Sequence, residues 1–311
     1  MMGAHHAACG AAAWTAIASD YRVPVDAVTD PLREAYGWNW LPESIPIGAQ
    51  LIDFGAHTDA AVLSGSIMLA GAALKPDADH HNATLAHSLP PLSKWYAGFI
   101  ENISGGHRHG THSIIGIVVF TIAAYFLGLM TSQNIASAIN FLFGTDYSGE
   151  VGIGQMRAES LQVGAGLITV ILSALAFKAL KFMPDSARKA PWAAALPFGV
   201  FSMFAFPSEA HWLALVVGLG CLIHILGDWI TTEGVNWFWP LTIKPPKQIS
   251  KLPFSDALWR DNGYTSIPVL GTVSSIRAHL IGGAISAVAI AGLVLSMTGL
   301  AAGLWAGVRF W

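Results

Sequence analysis

Long apolar runs separated by short polar clusters organise this chain. Seven stretches are predominantly apolar, at approximately 6–20, 58–74, 112–131, 163–181, 192–206, 209–231 and 280–303. A helix needs about 20 apolar residues to cross a bilayer. The pattern therefore predicts an all-α fold: a polytopic transmembrane helix bundle of about seven membrane-embedded helices. The first, second and fifth stretches are short, which predicts tilted, bundle-buried or partly interfacial helices. With no internal repeat, residues 1–311 read as a single membrane-embedded domain, with inserts at 21–57 and 133–162. The first insert carries Trp38, Trp40, Pro42 and Pro46, and the loop after the sixth stretch carries Trp237, Trp239 and Pro240. Aromatic residues of this kind suit a membrane–water interface. Ala and Gly richness suits close helix packing in lipid.

Composition strengthens this reading. Hydrophobic residues make up 53% of the 311 and charged residues 11%, and mean hydropathy is +0.52. A soluble domain carries about a quarter charged residues, so this chain lacks the charge to coat a watery surface. The net charge of −3 gives no reason to expect a nucleic-acid partner. Cys9 and Cys221 show no CxxC spacing and read as packed thiols. The start has no basic region ahead of its apolar run, so the first helix reads as retained. If all seven stretches cross, 12 of the 16 Lys and Arg residues fall on one side. Only Arg22, Arg33, Arg157 and Arg309 fall on the other. The positive-inside rule makes the richer side cytoplasmic.

Twelve histidines are many for so uncharged a chain, and they cluster. Four clusters stand out: His5-His6 with Gly10, Pro76-Asp77-Ala78-Asp79-His80-His81, Gly106 to Ser113, and His224 with Asp228. They lie at the start of the first stretch, the end of the second, the start of the third and the end of the sixth. Alternating crossings put all four on the cytoplasmic face. Imidazole and carboxylate ligands suit zinc, with manganese or iron as alternatives. His224 and Asp228, four apart, share one helix face. Asp228 within an apolar helix is costly and therefore a functional candidate. Arg108 at a helix start offers an anion seat. Cations beside an anion seat point to phosphoester hydrolysis by a metal-activated water. Arg108 and the backbone N–H groups near Thr111 would steady the developing charge, and Asp77 or Asp79 would accept the proton. His57, His87, His211 and His279 stand alone and read as interfacial residues.

These clusters resemble the membrane-bound metal-dependent hydrolase family of bacteria and archaea, which includes a LexA-regulated inner-membrane member. The matching stretches are His6 with Gly10, Pro76 to His80, His107-Arg108-His109-Gly110-Thr111-His112-Ser113, and His224 to Asp228 followed by Thr231, Thr232, Gly234 and Trp239-Pro240. The resemblance covers roughly 4–20, 60–131 and 209–245. It implies metal ligands His6, Asp77, Asp79, His80, His107, His112, His224 and Asp228, with Arg108, Thr111 and Ser113 as their partners. It also implies about two divalent ions, a lipid or lipid-linked phosphoester substrate, and a bacterial inner-membrane location. His109 stands where the family's HRGxTHS pattern has glycine. His5 beside His6, and His81 beside His80, leave two ligand positions open. The alternative reading is a metal-binding transporter or sensor without hydrolysis. A transporter would place its ionisable groups nearer the bilayer midplane than these helix-end clusters. A third reading is a scaffold with degenerate motifs.

Overall fold

All seven apolar stretches form helices. The computed structural model describes residues 3–53, 58–153, 156–158, 160–182, 189–205, 211–250 and 254–305. His57, Arg188 and Arg309 lie outside the described residues, as does the side chain of Arg157. In chain order the helices are α1 (Gly3–Ala18), α2 (Asp26–Tyr36), α3 (Thr58–Ala72), α4 (Leu92–Ser104), α5 (Ile114–Gly128), α6 (Ser132–Phe143), α7 (Val163–Ala179), α8 (Ala190–Ala205), α9 (His211–Trp229), α10 (Ser255–Leu258) and α11 (Ile276–Trp305). Single turns of 3-10 helix occupy Pro76–Asp79 and Gly110–His112. Among the described residues, strand is confined to two short antiparallel ribbons, Arg22–Pro24 with Ser44–Pro46 and Val151–Ile153 with Met156–Ala158.

The helices differ in their capacity to span lipid. Among the described residues, α9 and residues Ile276–Gly303 of α11 are long and apolar enough to cross a membrane. α5 and α6 together become a third candidate if the 75° bend between them lies within one broken span. α1, α3, α5, α7 and α8 have 16, 15, 15, 17 and 16 residues, below the roughly 20 of a full crossing. The expectation of about seven embedded helices thus resolves into two or three helices of spanning length and a set of shorter ones.

α3 is the central element. It packs against α1, α7, α9 and α11, while α5 packs against α9 and α7 against α8. The core joins Trp14, Val62, Met68, Leu69, Leu172, Leu213, Val216 and Cys221. Between helices in lipid there is little hydrophobic driving force, so close backbone approach must supply the attraction. Gly71 provides it: a β-carbon there would lie 2.0 Å from the Leu172 carbonyl oxygen on α7. At Gly10 a β-carbon would lie 2.5 Å from the Leu69 carbonyl oxygen, so α1 also lies directly on α3.

α4 lies in a stretch of mixed apolar and polar residues that no long apolar run marks. Leu92, Trp95, Phe99 and Ile103 form an exposed apolar stripe, and Ser93, Ala97 and Ser104 face inward. That spacing of three and four residues is one helical face. α5 is apolar on its outer side as well, with Ile115, Val118, Val119, Ile122 and Phe126 exposed.

Candidate metal centre

The four polar clusters meet at one end of the bundle. His6 is on the first turn of α1, and Asp77 and Asp79 follow α3. His107, Arg108, Thr111 and His112 precede α5, and His224 and Asp228 end α9. Local chemistry fixes these ends. Pro76 starts a 3-10 turn where α3 stops, as a residue with a fixed φ and no N–H can. Ser113 caps α5: its Oγ accepts from Gly116 N at 3.3 Å and donates to the Gly110 carbonyl at 2.7 Å. That aims the preceding His112 at the bundle axis, fully buried.

Among the described residues, two groups of side chains could hold a metal ion: His6 with His224 and Asp228, and Asp77 with His107 and His112. The groups adjoin. His112 Nε2 and His224 Nε2 lie 3.1 Å apart. Asp77 Oδ1 is 3.6 Å from the first and 3.5 Å from the second. Asp228 Oδ2 is 3.6 Å from each. A tetrahedral ion with arms of roughly 2.1 Å separates its ligand atoms by roughly 3.4 Å. The five distances bracket that value.

Tautomers sharpen the fit. His224 Nδ1 lies 2.6 Å from the Ala73 carbonyl oxygen, which can only accept, so Nδ1 carries the hydrogen. His112 Nδ1 faces Asp79 Oδ2 at 3.3 Å, an ionised carboxylate that also only accepts. In neutral rings both Nε2 atoms are then lone pairs, directed at one another and at two carboxylates. Such a cavity requires a positive charge at its centre, a proton or a metal ion. His6 adds a further donor: Nε2 lies 3.3 Å from Asp228 Oδ1, the ring stacks on His224 at 3.7 Å between centroids, and Nδ1 is buried without a hydrogen-bond partner.

Asp79 lies outside both groups. Its Oδ1 meets His107 Nδ1 at 2.9 Å. Its Oδ2 accepts from Arg108 N at 3.1 Å and from the Thr111 hydroxyl, and faces His112 Nδ1. Burial alone would raise both the Asp77 and the Asp79 carboxyl. Hydrogen bonds from His107, His112 and Thr111 outweigh it at Asp79, and the imidazoles of His224 and His112 outweigh it at Asp77. Both therefore sit well below the usual carboxylate range. Burial would lower His112, but Asp77 and Asp79 override it and raise the ring.

The remaining candidates take other places. His80 lies at the edge, its Nδ1 accepting from Asn82 N at 3.0 Å and its ring edge-on to His107. His81 reaches Glu101 at 3.7 Å. His5 turns away from the centre, edge-on to His279, so of the two neighbours His6 is the one in the cluster. His109 folds back on the His107 carbonyl. Arg108, at φ +61°, directs its guanidinium to Asp228 Oδ1 at 3.3 Å and Glu233 Oε2 at 2.7 Å. Backbone strain of this kind gathers at functional sites.

Glu233 and Tyr264 were not singled out from sequence. The segment after α9 returns over the site: Ile114 N donates to the Trp237 carbonyl at 3.0 Å, and the Tyr264 hydroxyl donates to the Arg108 carbonyl at 2.9 Å. Glu233 sits among ordinary loop residues, and Tyr264 is 156 residues from its partner, so no local pattern announces either. A family described as YdjM inner membrane protein matches residues 1–306. No curated protein and no solved structure matches the chain.

Proposed function

We propose, for a chain that belongs to the YdjM inner membrane protein family, a membrane-embedded hydrolase that uses divalent metal to cleave a phosphoester of a lipid or lipid-linked substrate. The observation that carries the reading is the pairing of His112 Nε2 and His224 Nε2 at 3.1 Å, with Asp77 Oδ1 and Asp228 Oδ2 each 3.5–3.6 Å from both nitrogens. His6 and His107 extend that set on either side, enough donors for about two ions, with zinc favoured by the imidazole–carboxylate mix. When bound, such ions supply Lewis acidity and charge neutralisation at a phosphoryl group.

The chain's own residues divide the remaining work. Asp79, with both oxygens engaged, holds His107 and His112 with Nδ1 protonated and Nε2 free, as carboxylates behind metal-binding histidines do. It acts as a positioning residue. Asp77, whose side chain is 24% exposed against 0% for Asp79, is left to take the proton of the attacking water. Arg108 touches Asp228 directly and is only 14% exposed, so a phosphoryl oxygen entering the centre meets a cation already desolvated and aimed. Thr111 and Ser113 act through others: Thr111 on Asp79, and Ser113 on the start of α5.

The test is release of headgroup or phosphate from a panel of phospholipids and lipid phosphates by purified, metal-loaded protein in mixed micelles. Activity that a chelator abolishes, divalent metal restores and His224→Ala removes is the expected result. A metal-loaded protein inert across the panel would overturn the reading.

A further inference from the structure

Beside the His/Asp centre lies an apolar chamber. Its volume is about 400 Å³, within the range of small-ligand sites, about 300–1,000 Å³. Its walls come from α4, α5, α7, α8 and α9, with Tyr96, Phe120, Leu127, Leu175 and Trp192 prominent. The rim includes Leu89, Leu92 and Ile171, which are exposed, so the chamber opens onto the same apolar outer surface that α4 and α5 present.

Among the described residues that line it, the charged one is Lys75. Its Nζ lies 5.9 Å from the centre of the Tyr96 ring and 5.8 Å from that of Phe120. Lys75 makes no ion pair among the described residues. The polar groups of Ser88, Ser93 and Trp192 are already occupied. Ser88 Oγ donates to the Leu85 carbonyl, Ser93 Oγ to the Ala86 carbonyl, and Trp192 Nε1 to the Ser88 carbonyl. An ammonium held among aromatic faces in a greasy chamber is a place for an anion carried on a hydrocarbon chain.

Position ties the chamber to the centre. Lys75 precedes Asp77 by two residues, so their Cα atoms lie within about 7.6 Å. Phe120 separates the chamber from a second cavity of about 120 Å³ lined by Gly110, Thr111 and Trp239. We infer that the chamber holds the acyl chain of a single-chain anionic lipid, with its acidic head on the Lys75 ammonium at the threshold of the metal centre. The inference deepens the hydrolase reading by naming the substrate's chain and head, and in that respect rests on it. Binding itself does not require turnover.

The probe is hexadecylphosphonate, whose C–P bond a phosphoester hydrolase leaves intact, with hexadecanol as the uncharged control and methylphosphonate as the chainless one. Binding to full-length protein in neutral detergent is read by native mass spectrometry, with metal content measured on the same samples. Hexadecylphosphonate is expected to bind one per chain and methylphosphonate not to bind. Lys75→Met should weaken hexadecylphosphonate by about tenfold or more while leaving hexadecanol unchanged, and Lys75→Arg should restore it. Ala123→Trp, which fills the chamber from an exposed position, should weaken both long-chain probes. Should Lys75→Met lose metal through misfolding, Ala123→Trp decides alone. Absence of binding to the unmodified chain, or undiminished binding in Ala123→Trp, overturns the inference. Intact binding without hydrolysis counts against the hydrolase reading only.

Discussion

The Nε2 atoms of His112 and His224 face each other at 3.1 Å across the end of the bundle, each turned inward by an acceptor behind its Nδ1. The Ala73 carbonyl fixes one ring and Asp79 the other. In neutral rings the two lone pairs are aimed at one point, so a cation's place there would be set by the fold rather than by any single residue.

Metal content follows directly. Protein purified without chelator should carry about two divalent ions per chain by elemental analysis. His112→Ala and His224→Ala should each remove most of this, because each ring belongs to the shared set of four donors. Unchanged metal content in both variants would show that the cluster is an ordinary buried hydrogen-bond network.

Asp79→Asn tests positioning apart from ligation. An amide cannot accept from His107 and His112 at once without presenting an N–H to one of them. Metal affinity should fall about 10- to 100-fold, while helical circular dichroism stays unchanged. Asp79→Glu should recover part of the loss if the carboxylate works through its hydrogen bonds.

Proton release gives a third measure. Without metal, the His112 ring is raised above its ordinary 6.5, so it holds a proton at and somewhat above that pH. Asp77 and Asp79, held well below the carboxylate range, remain ionised. Metal entry therefore expels imidazole protons, and apparent affinity should weaken as pH falls from about 8 to 6. Calorimetric titration in two buffers of different ionisation enthalpy should show protons released on binding, more at the lower pH within this window. Equal heats in both buffers would contradict the assignment.

Arg108→Gln should leave metal content intact and lower hydrolysis by about 10²- to 10³-fold, the usual cost of a lost donor to developing charge. Glu233→Gln, which frees the guanidinium from its exposed partner, should change activity far less.

Packing at α3 is predicted to be unforgiving. Gly71→Ala places a β-carbon 2.0 Å from the Leu172 carbonyl, and the backbones of α3 and α7 must separate to admit it. A loss of about 1–3 kcal/mol, seen as a lower melting temperature in detergent, is expected, with Asp77 displaced and metal affinity reduced in step.

Much of this was legible before the structure. Each apolar stretch became a helix, since a run of that composition can satisfy its backbone in lipid only by coiling on itself. Convergence of the histidine clusters was legible from their places at alternate helix ends. Other features left no linear trace. α4 was missed because its apolar residues come in short pieces, Leu92, Trp95 to Ala97, Phe99-Ile100 and Ile103, broken by Ser93-Lys94, Gly98 and Glu101-Asn102. The choice of His6 over His5 depends on the rotation of α1, which adjacent identical residues cannot reveal. Asp77 and Asp79 look alike in a PDxDH segment, yet the 3-10 turn sends one to the donors and the other behind them. The number of crossings turns on helix length, and α1, α3 and α5 stop at 16, 15 and 15 residues, which hydropathy does not register.

The centre draws its donors from residue 6 at one extreme and residue 228 at the other. A chain emerging from the ribosome cannot complete it until α1 through α9 have been made, α9 last. Any ion taken up there would therefore wait for α9, and would clasp α1 to α9 in an assembly whose parts arrived separately.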